Sequence, residues 1–341
     1  MSSSVLNIMH DIELNVLRHH LSNKSIKYIH INHNGVGEAD KNIIELSRKH
    51  KHIRTILVEI TNHGFMTYVL RGGVSSLVHL SSIKYLWNPV KEKEYTIDIN
   101  DIVYQYEDAE QQFDKKLVVM FYPMAPNPNI SSLSRYFPNN FPTLKKHLGK
   151  NVAILRVADI GAITGAFYLN TIALPKNEFN IQSLIFKIME DRGIDKNNVI
   201  FYGTSKGGSG ALYHGLLGGF PVVSVDPIVN DEHYILNHGD LHLVNGVFEK
   251  EKKDVFYSIR DGVNKENIPP ITIITSHNSE QYSYIMNFIN PLKNKATIYN
   301  NINPMIRTHT EVAPNSIHII LNAINSFCLM TPSAPGERNV M

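Results

Sequence analysis

Hydrophobic residues in this chain gather into short runs rich in valine and isoleucine, separated by stretches of helical periodicity. From Leu117 onward six runs predict the buried strands of a mostly parallel sheet: LVVMFYP (117–123), VAILRV (152–157), VIFYG (199–203), VVSVD (222–226), ITIIT (271–275) and ATIYN (296–300). Strands covered on both faces need apolar residues throughout, which is why these runs lack polar alternation. Between the second and third, Ile181, Leu184, Ile185 and Ile188 recur at i, i+3, i+4 and i+7, and Gly193 follows. That spacing predicts an amphipathic helix stopped at the glycine. The alternation predicts one doubly wound α/β domain over residues 111–330.

The first hundred or so residues have another rhythm. A helix-like start is followed by a strand-like KYIHIN, a helix-like DKNIIELSRKH and a second strand-like run, TILVEI. EYTIDINDIVYQYE then alternates polar and apolar residues with period two, predicting a half-exposed hairpin or edge strands. Residues 1–110 are therefore expected to form a small α/β unit or an N-terminal elaboration. Residues 227–270 separate two core strands by far more than a crossover helix needs, which predicts a cap or lid inserted before the penultimate core strand. The final TPSAPGERNVM is small and polar, and residues 331–341 are expected to be a mobile tail.

Composition narrows the function classes. The 341 residues are 43% hydrophobic, and 33 basic against 31 acidic residues leave a formal charge of +2. With basic residues scattered along the chain, nothing marks a nucleic-acid footprint. A single cysteine, Cys328, lies in an apolar run and reads as a buried thiol without a disulfide partner. His10, Asp11 and Glu13 interrupt the N terminus, so it lacks the form of a secretory signal, and no run approaches the roughly eighteen apolar residues of a membrane span. A cytoplasmic protein without a membrane span is expected.

The chemistry centres on GTSKG, residues 203–207, a G-x-S-x-G motif flanked by an apolar strand and a helix-like run. In such a corner the central serine takes a strained backbone conformation that lifts its hydroxyl clear of the sheet, and the residues two before and two after must be tiny. Phosphate-loop readings fail. Gly208 is followed by Ser209 and Gly210 where a P-loop needs lysine, and Tyr213 stands where a dinucleotide fingerprint needs its last small residue.

A serine hydroxyl needs a base to take its proton and a carboxylate to hold that base. In strand order the acid is expected after a later strand and the histidine last. Glu280 is the carboxylate of SHNSEQYS, which follows ITIIT, and His309 lies in the loop after ATIYN. Asp226, ending VVSVD, is the alternative acid, although an aspartate before Pro227 also suits a turn. His277 is a second candidate base, while His318 and His214 fall within helix-like runs. The oxyanion hole is expected from the backbone N–H groups of Lys206 and, beyond Pro123, Met124. No H-E-x-x-H, paired C-x-x-C or calcium loop occurs, and the histidine-rich HHLSNKSIKYIHINHN spreads over helix, strand and loop, so no metal is expected.

With these residues in place, VIFYGTSKGGSGALYHGLLGG, the following VVSVDPIV and the preceding ILRVADIGAITGAFYLNT resemble the capsular polysaccharide biosynthesis proteins of the XcbB/CpsF type. More distantly the chain is similar to acyltransferase-like accessory Sec proteins and to the α/β-hydrolase-fold O-acetyltransferases of meningococcal capsules. The resemblance implies an α/β-hydrolase-like fold and a bacterial protein acting on a capsular polysaccharide or sugar acceptor, alongside other capsule synthesis proteins. From the O-acetyltransferases it implies acetyl-CoA as acyl donor and a triad carried onto Ser205, His309 and Glu280. Their acid is usually aspartate. An esterase on the same triad, or a scaffold without catalysis, are the alternatives.

Overall fold

The computed structural model describes residues 4–341, which build two sheets. The smaller has β1 (Val5–Met9), β2 (Tyr28–Asn32), β3 (Phe65–Arg71) and β4 (Val74–His79) in the order β1-β2-β4-β3. β1 and β2 run parallel across α1 (Leu14–Leu21), whereas β3 and β4 form an antiparallel hairpin through Gly72 and Gly73. Both glycines have positive φ (53° and 72°), the backbone a two-residue hairpin turn requires. α2 (Ile43–Lys49) and α3 (Lys51–Asn62) cover this sheet, and a capping box between Asn42 and Glu45 starts α2.

TILVEI is thus helix, contrary to the strand its β-branched residues predict. Ile53, Ile56, Leu57 and Ile60 are buried at i, i+3, i+4 and i+7. The helical stripe outweighs the local preference of Thr and Ile because it can be buried against a sheet.

Two short helices, α4 (Ile83–Leu86) and α5 (Asn88–Lys91), lead into the larger sheet. It contains β5 (Thr96–Ile97), β6 (Val103–Glu107), β7 (Lys116–Phe121), β8 (Val152–Val157), β9 (Val199–Thr204), β10 (Val222–Val225), β11 (Ile271–Thr275), β12 (Ala296–Asn301) and β13 (Gly336–Val340). Their order is β13-β12-β11-β10-β9-β7-β8-β6-β5, parallel from β13 through β8 and antiparallel at β6 and β5. The six apolar runs are the six central strands. EYTIDINDIVYQYE supplies two edge strands of this sheet, so the division between sheets falls before Thr96 and not near residue 110. The tail expected to be mobile carries β13, paired parallel to β12.

Helices lie on both faces. α6 (Asn177–Arg192), ended by Gly193 at φ 60°, joins α7 (Lys206–Gly218), α9 (Lys252–Gly262) and α10 (Tyr282–Ile289) on one face, and α12 (Ile317–Cys328) covers the other. Leu117, Val119 and Phe121 face the first layer, Val118 and Met120 the second, as the two-residue strand period dictates. The region expected as a cap divides: α9 is an ordinary crossover helix with Phe256 buried, and residues 227–251, including α8 (Glu232–His238), form the insertion. No helix among the described residues is long and apolar enough to cross a membrane.

Three contacts fasten this insertion to the N-terminal unit. Arg54 Nη2 donates to Gly239 O at 3.1 Å, Asn62 Nδ2 donates to Gly246 O at 2.8 Å, and Arg48 donates to Leu241 O. Leu243 and Val247 are buried in the N-terminal core itself. His214, on α7, is fully buried between Gln182 and the Tyr168 carbonyl, and burial lowers its pKa to about 4.

A histidine kept neutral in the fold binds a proton more readily once unfolded, so stability is fully present above pH 6.5 and falls as pH drops towards 4. Between pH 7 and 4.5 His214 alone should remove about 2–3 kcal/mol. Urea unfolding of wild type and His214→Gln at both pH values should show a correspondingly smaller acid loss in the variant.

Candidate active site

β9 runs straight into α7, and Ser205 sits at the join with φ 54° and ψ −122°, a region L-residues rarely adopt. Two residues to either side of it there is no room for a side chain. A Cβ on Gly203 would stand 2.1 Å from Gly207 O, and one on Gly207 would stand 2.1 Å from Phe121 O. The backbones of β9, α7 and the end of β7 are therefore in direct contact, which leaves the Ser205 hydroxyl projecting from the sheet's C-terminal edge.

Ser205 Oγ lies 2.7 Å from His309 Nε2, and His309 Nδ1 lies 2.7 Å from Asp226 Oδ2. His309 opens α11 (His309–Val312) after β12, and Asp226 directly follows β10. Asp226 is almost fully buried and accepts two further hydrogen bonds, from Thr275 Oγ1 and Ser279 Oγ, each at 2.5 Å. Such donors hold both carboxylate oxygens in place, with Nδ1 as the protonated ring nitrogen and Nε2 free to accept from serine.

The carboxylate on the imidazole is thus that of Asp226 and not that of Glu280. Glu280 Oε2 instead accepts the backbone N–H of His309 at 2.5 Å, fixing the loop that carries the ring. Asn278 Nδ2 assists by donating to Ile306 O at 2.9 Å. Both carboxylates occupy the C-terminal edge of adjacent strands, so strand order alone does not separate them. What separates them is side-chain direction, which is set by the backbone of each turn; at Asp226 φ is 44°.

His277 and His318 are exposed and take no part in this chain, and His214 is locked in the core. Ser279 and Thr275 were not apparent from sequence, since a hydroxyl beside a strand end has no distinguishing pattern. The histidine-rich N-terminal stretch supports its sheet instead, with His30 Nδ1 2.7 Å from Ser76 Oγ and His33 Nε2 3.0 Å from Ser75 Oγ. Among the described residues no cluster of three or more His, Cys, Asp or Glu is gathered as a metal site.

Opposite the triad, the insertion brings Tyr234 to 6.3 Å from the His309 ring, between ring centroids. Tyr234 rests on His242 at 4.2 Å, and His242 Nδ1 lies 3.1 Å from Asp231 Oδ1. Asp231 also pairs with fully buried Lys252 at 2.7 Å. Burial lowers the Lys252 pKa to about 8 against the pull of Asp231, and lowers that of His242 to about 4. Burial, then the charges of Glu280 and Asp226, push the Tyr234 hydroxyl far above its ordinary value, so it is a neutral group beside the triad.

On the oxyanion side, the Tyr122 N–H is bound by Tyr168 Oη at 2.5 Å and Pro123 has no N–H, so Met124 and Ala125 are the next donors after β7. Met124 is half-buried; Lys206, the other expected donor, is the first residue of α7.

A parallel sheet between helical layers, a strained serine corner after β9, an acid after β10 and a histidine after β12 make the architecture α/β-hydrolase-like. No family model matches the chain, and no curated protein matches it. Among solved structures it is similar to the glycosylation-associated Gap123 complex of Streptococcus agalactiae, at 16% identity and a TM-score of 0.48, over 67% of this chain and 44% of that one. It is also similar to the capsule O-acetyltransferase of Neisseria meningitidis serogroup A, at 15% identity and a TM-score of 0.49, over 68% and 93%. The third is carboxyl esterase 2 of the fungus Tuber melanosporum, at 14% and 0.48, over 69% and 84%.

Gly207→Ala should cost about 3 kcal/mol or more, because backbone and not a flexible side chain obstructs the added methyl. Gly262→Ala, with nothing within 4 Å of the new Cβ, should change stability by less than about 1 kcal/mol. Thermal and urea unfolding of the two variants check the contrast.

Proposed function

We propose that this protein is a serine acyltransferase that O-acetylates a sugar of a bacterial capsular polysaccharide in the cytoplasm, working with other capsule synthesis proteins. The observation that carries the reading is the unbroken hydrogen-bonded line Asp226–His309–Ser205, ending on a serine in strained backbone. The capsule assignment, and the XcbB/CpsF-type relationship behind it, rest on the sequence motifs at residues 154–171 and 199–229. The acyl donor proposed is acetyl-CoA; a structure of the meningococcal capsule O-acetyltransferase is described as a complex with CoA.

In the first half-reaction Ser205 Oγ attacks the thioester carbonyl while its proton passes to His309 Nε2. The C–S bond breaks, and His309 returns that proton to the departing CoA sulfur. In the second, a sugar hydroxyl attacks the acetyl carbonyl, His309 takes its proton, and the C–O bond to Ser205 breaks as the serine is reprotonated. Asp226 stabilises the imidazolium formed in each half, and the N–H groups of Lys206 and Met124 receive the negative oxygen. With water as acceptor the same steps describe an esterase. The insertion favours transfer, because Tyr234, His242 and their buried partners cover the histidine side of the site and limit water there.

Intact mass after incubation with acetyl-CoA should show one added acetyl group on the wild type and none on Ser205→Ala. Absence of the adduct with acetyl-CoA and with activated short-chain esters alike would overturn the reading. Where turnover of an activated ester is measurable, Asp226→Asn should lower kcat on the order of 10⁴-fold, as loss of the triad acid does elsewhere. Glu280→Gln keeps an oxygen on the His309 N–H and should cost less than about tenfold, since a single neutral hydrogen bond remains.

A further inference from the structure

The motif ADIGAITGAFY, residues 158–168, is not used by the triad, yet it folds beside it. Asp159 is 1% exposed and sits on the loop after β8. Its Oδ2 accepts the Phe167 N–H at 3.0 Å and its Oδ1 accepts the Tyr168 N–H at 2.9 Å. Phe167 and Tyr168 both have positive φ (54° and 62°), so the carboxylate clamps a backbone turn that these residues would otherwise avoid.

The same Oδ2 lies 2.7 Å from Lys206 Nζ, with both side chains fully buried; the contact is an ion pair whose angle falls short of an aligned hydrogen bond. Lys206 is the residue after the nucleophile. Tyr168, held at its N–H by Asp159, places its Oη on the Tyr122 N–H at 2.5 Å and 3.2 Å from the carbonyls of Tyr122 and Val157. Tyr122 is the first residue of the loop that carries Met124.

Gly165 completes the arrangement. A Cβ there would stand 2.5 Å from both Asp159 Oδ2 and Lys206 Nζ, so a side chain at this position is incompatible with the ion pair.

We propose that Asp159 is a positioning residue that aligns both halves of the oxyanion hole: one half through the Lys206 side chain, the other through Tyr168 and Tyr122. The proposal rests on the serine acyl-transfer reading and extends it to the motif that reading leaves over. An oxyanion donor stabilises the transition state only if its N–H already points at the forming negative oxygen. A buried ion pair is poor value as stabilisation but holds geometry tightly, because separating either charge from its partner leaves it unsolvated. Loss of the network should therefore lower kcat and leave KM little changed.

The test uses the full chain, an activated acetyl ester and a methyl trifluoromethyl ketone. Ser205 adds to the ketone carbon, its proton passes to His309, and the carbonyl oxygen becomes an oxyanion in the hole. Tyr168→Phe removes only the hydroxyl that reaches Tyr122, and the pair Asp159→Asn/Lys206→Met removes both buried charges together. In Tyr168→Phe, kcat and ketone affinity should each fall about tenfold or more, with KM within about threefold; the unfolding midpoint falls because the buried Tyr122 N–H loses its partner, but the transition stays cooperative and the variant is folded under assay conditions. The double variant should show the same split with a larger fall. Wild-type ketone affinity and kcat retained in folded Tyr168→Phe would overturn the proposal, as would a loss confined to KM. If the double variant does not fold, Tyr168→Phe decides alone. If wild type itself forms no acetyl-Ser205, the acyl-transfer reading fails; if wild type acylates and Tyr168→Phe matches it, only the positioning role of Asp159 fails.

Discussion

Everything at the candidate site depends on how closely three backbones meet at residues 203–207. With Gly207 against the Phe121 carbonyl and Gly203 against Gly207, there is no room for a relaxed turn, and Ser205 is held at φ 54°. The strain is maintained because β9 is central in the sheet, paired with β7 on one side and β10 on the other. A turn of this kind on an edge strand would relax by moving the strand.

Around that fixed point the polar groups act as braces more than as sources of stability. Asp226 takes hydrogen bonds from Thr275, Ser279 and His309; Glu280 holds the His309 backbone; Asp159 holds Lys206 and the turn at Tyr168. Asp226 and Asp159 are each buried and tied by several donors, the condition under which a buried charge is tolerated and its direction fixed, whereas Glu280 is half-buried and holds the one backbone N–H. Ser279 and Glu280, neighbours in sequence, brace the acid and the base respectively, so one short loop after β11 sets the spacing between them.

The N-terminal unit takes part at a distance. Its α2 and α3 bind backbone carbonyls at residues 239, 241 and 246, and its core receives Leu243 and Val247. The insertion that bears Tyr234 and His242 is consequently packed from both sides. Arg135 adds a further link, almost fully buried and donating to Thr67 O in β3 and to Ile163 O in the Asp159 loop.

The sequence by itself determined the six central strands, the helix ending at Gly193, the serine corner and the histidine that reaches it. Those features are written in local pattern: short valine- and isoleucine-rich runs alternating with helical segments read as covered strands, and glycines two residues on either side of a serine have a steric cause. Tertiary structure decided the rest. TILVEI became a helix because a sheet lay ready to bury one stripe of it, and residues 336–340 became a strand because the edge of β12 was open to pairing. Asp226 and Glu280 both follow strands at the same edge, and only the turn geometry determined which carboxylate faces the ring and which the backbone. The role of Asp159 was invisible in the chain for the same reason: its partners lie 8, 9 and 47 residues away, brought together by packing and not by any local periodicity.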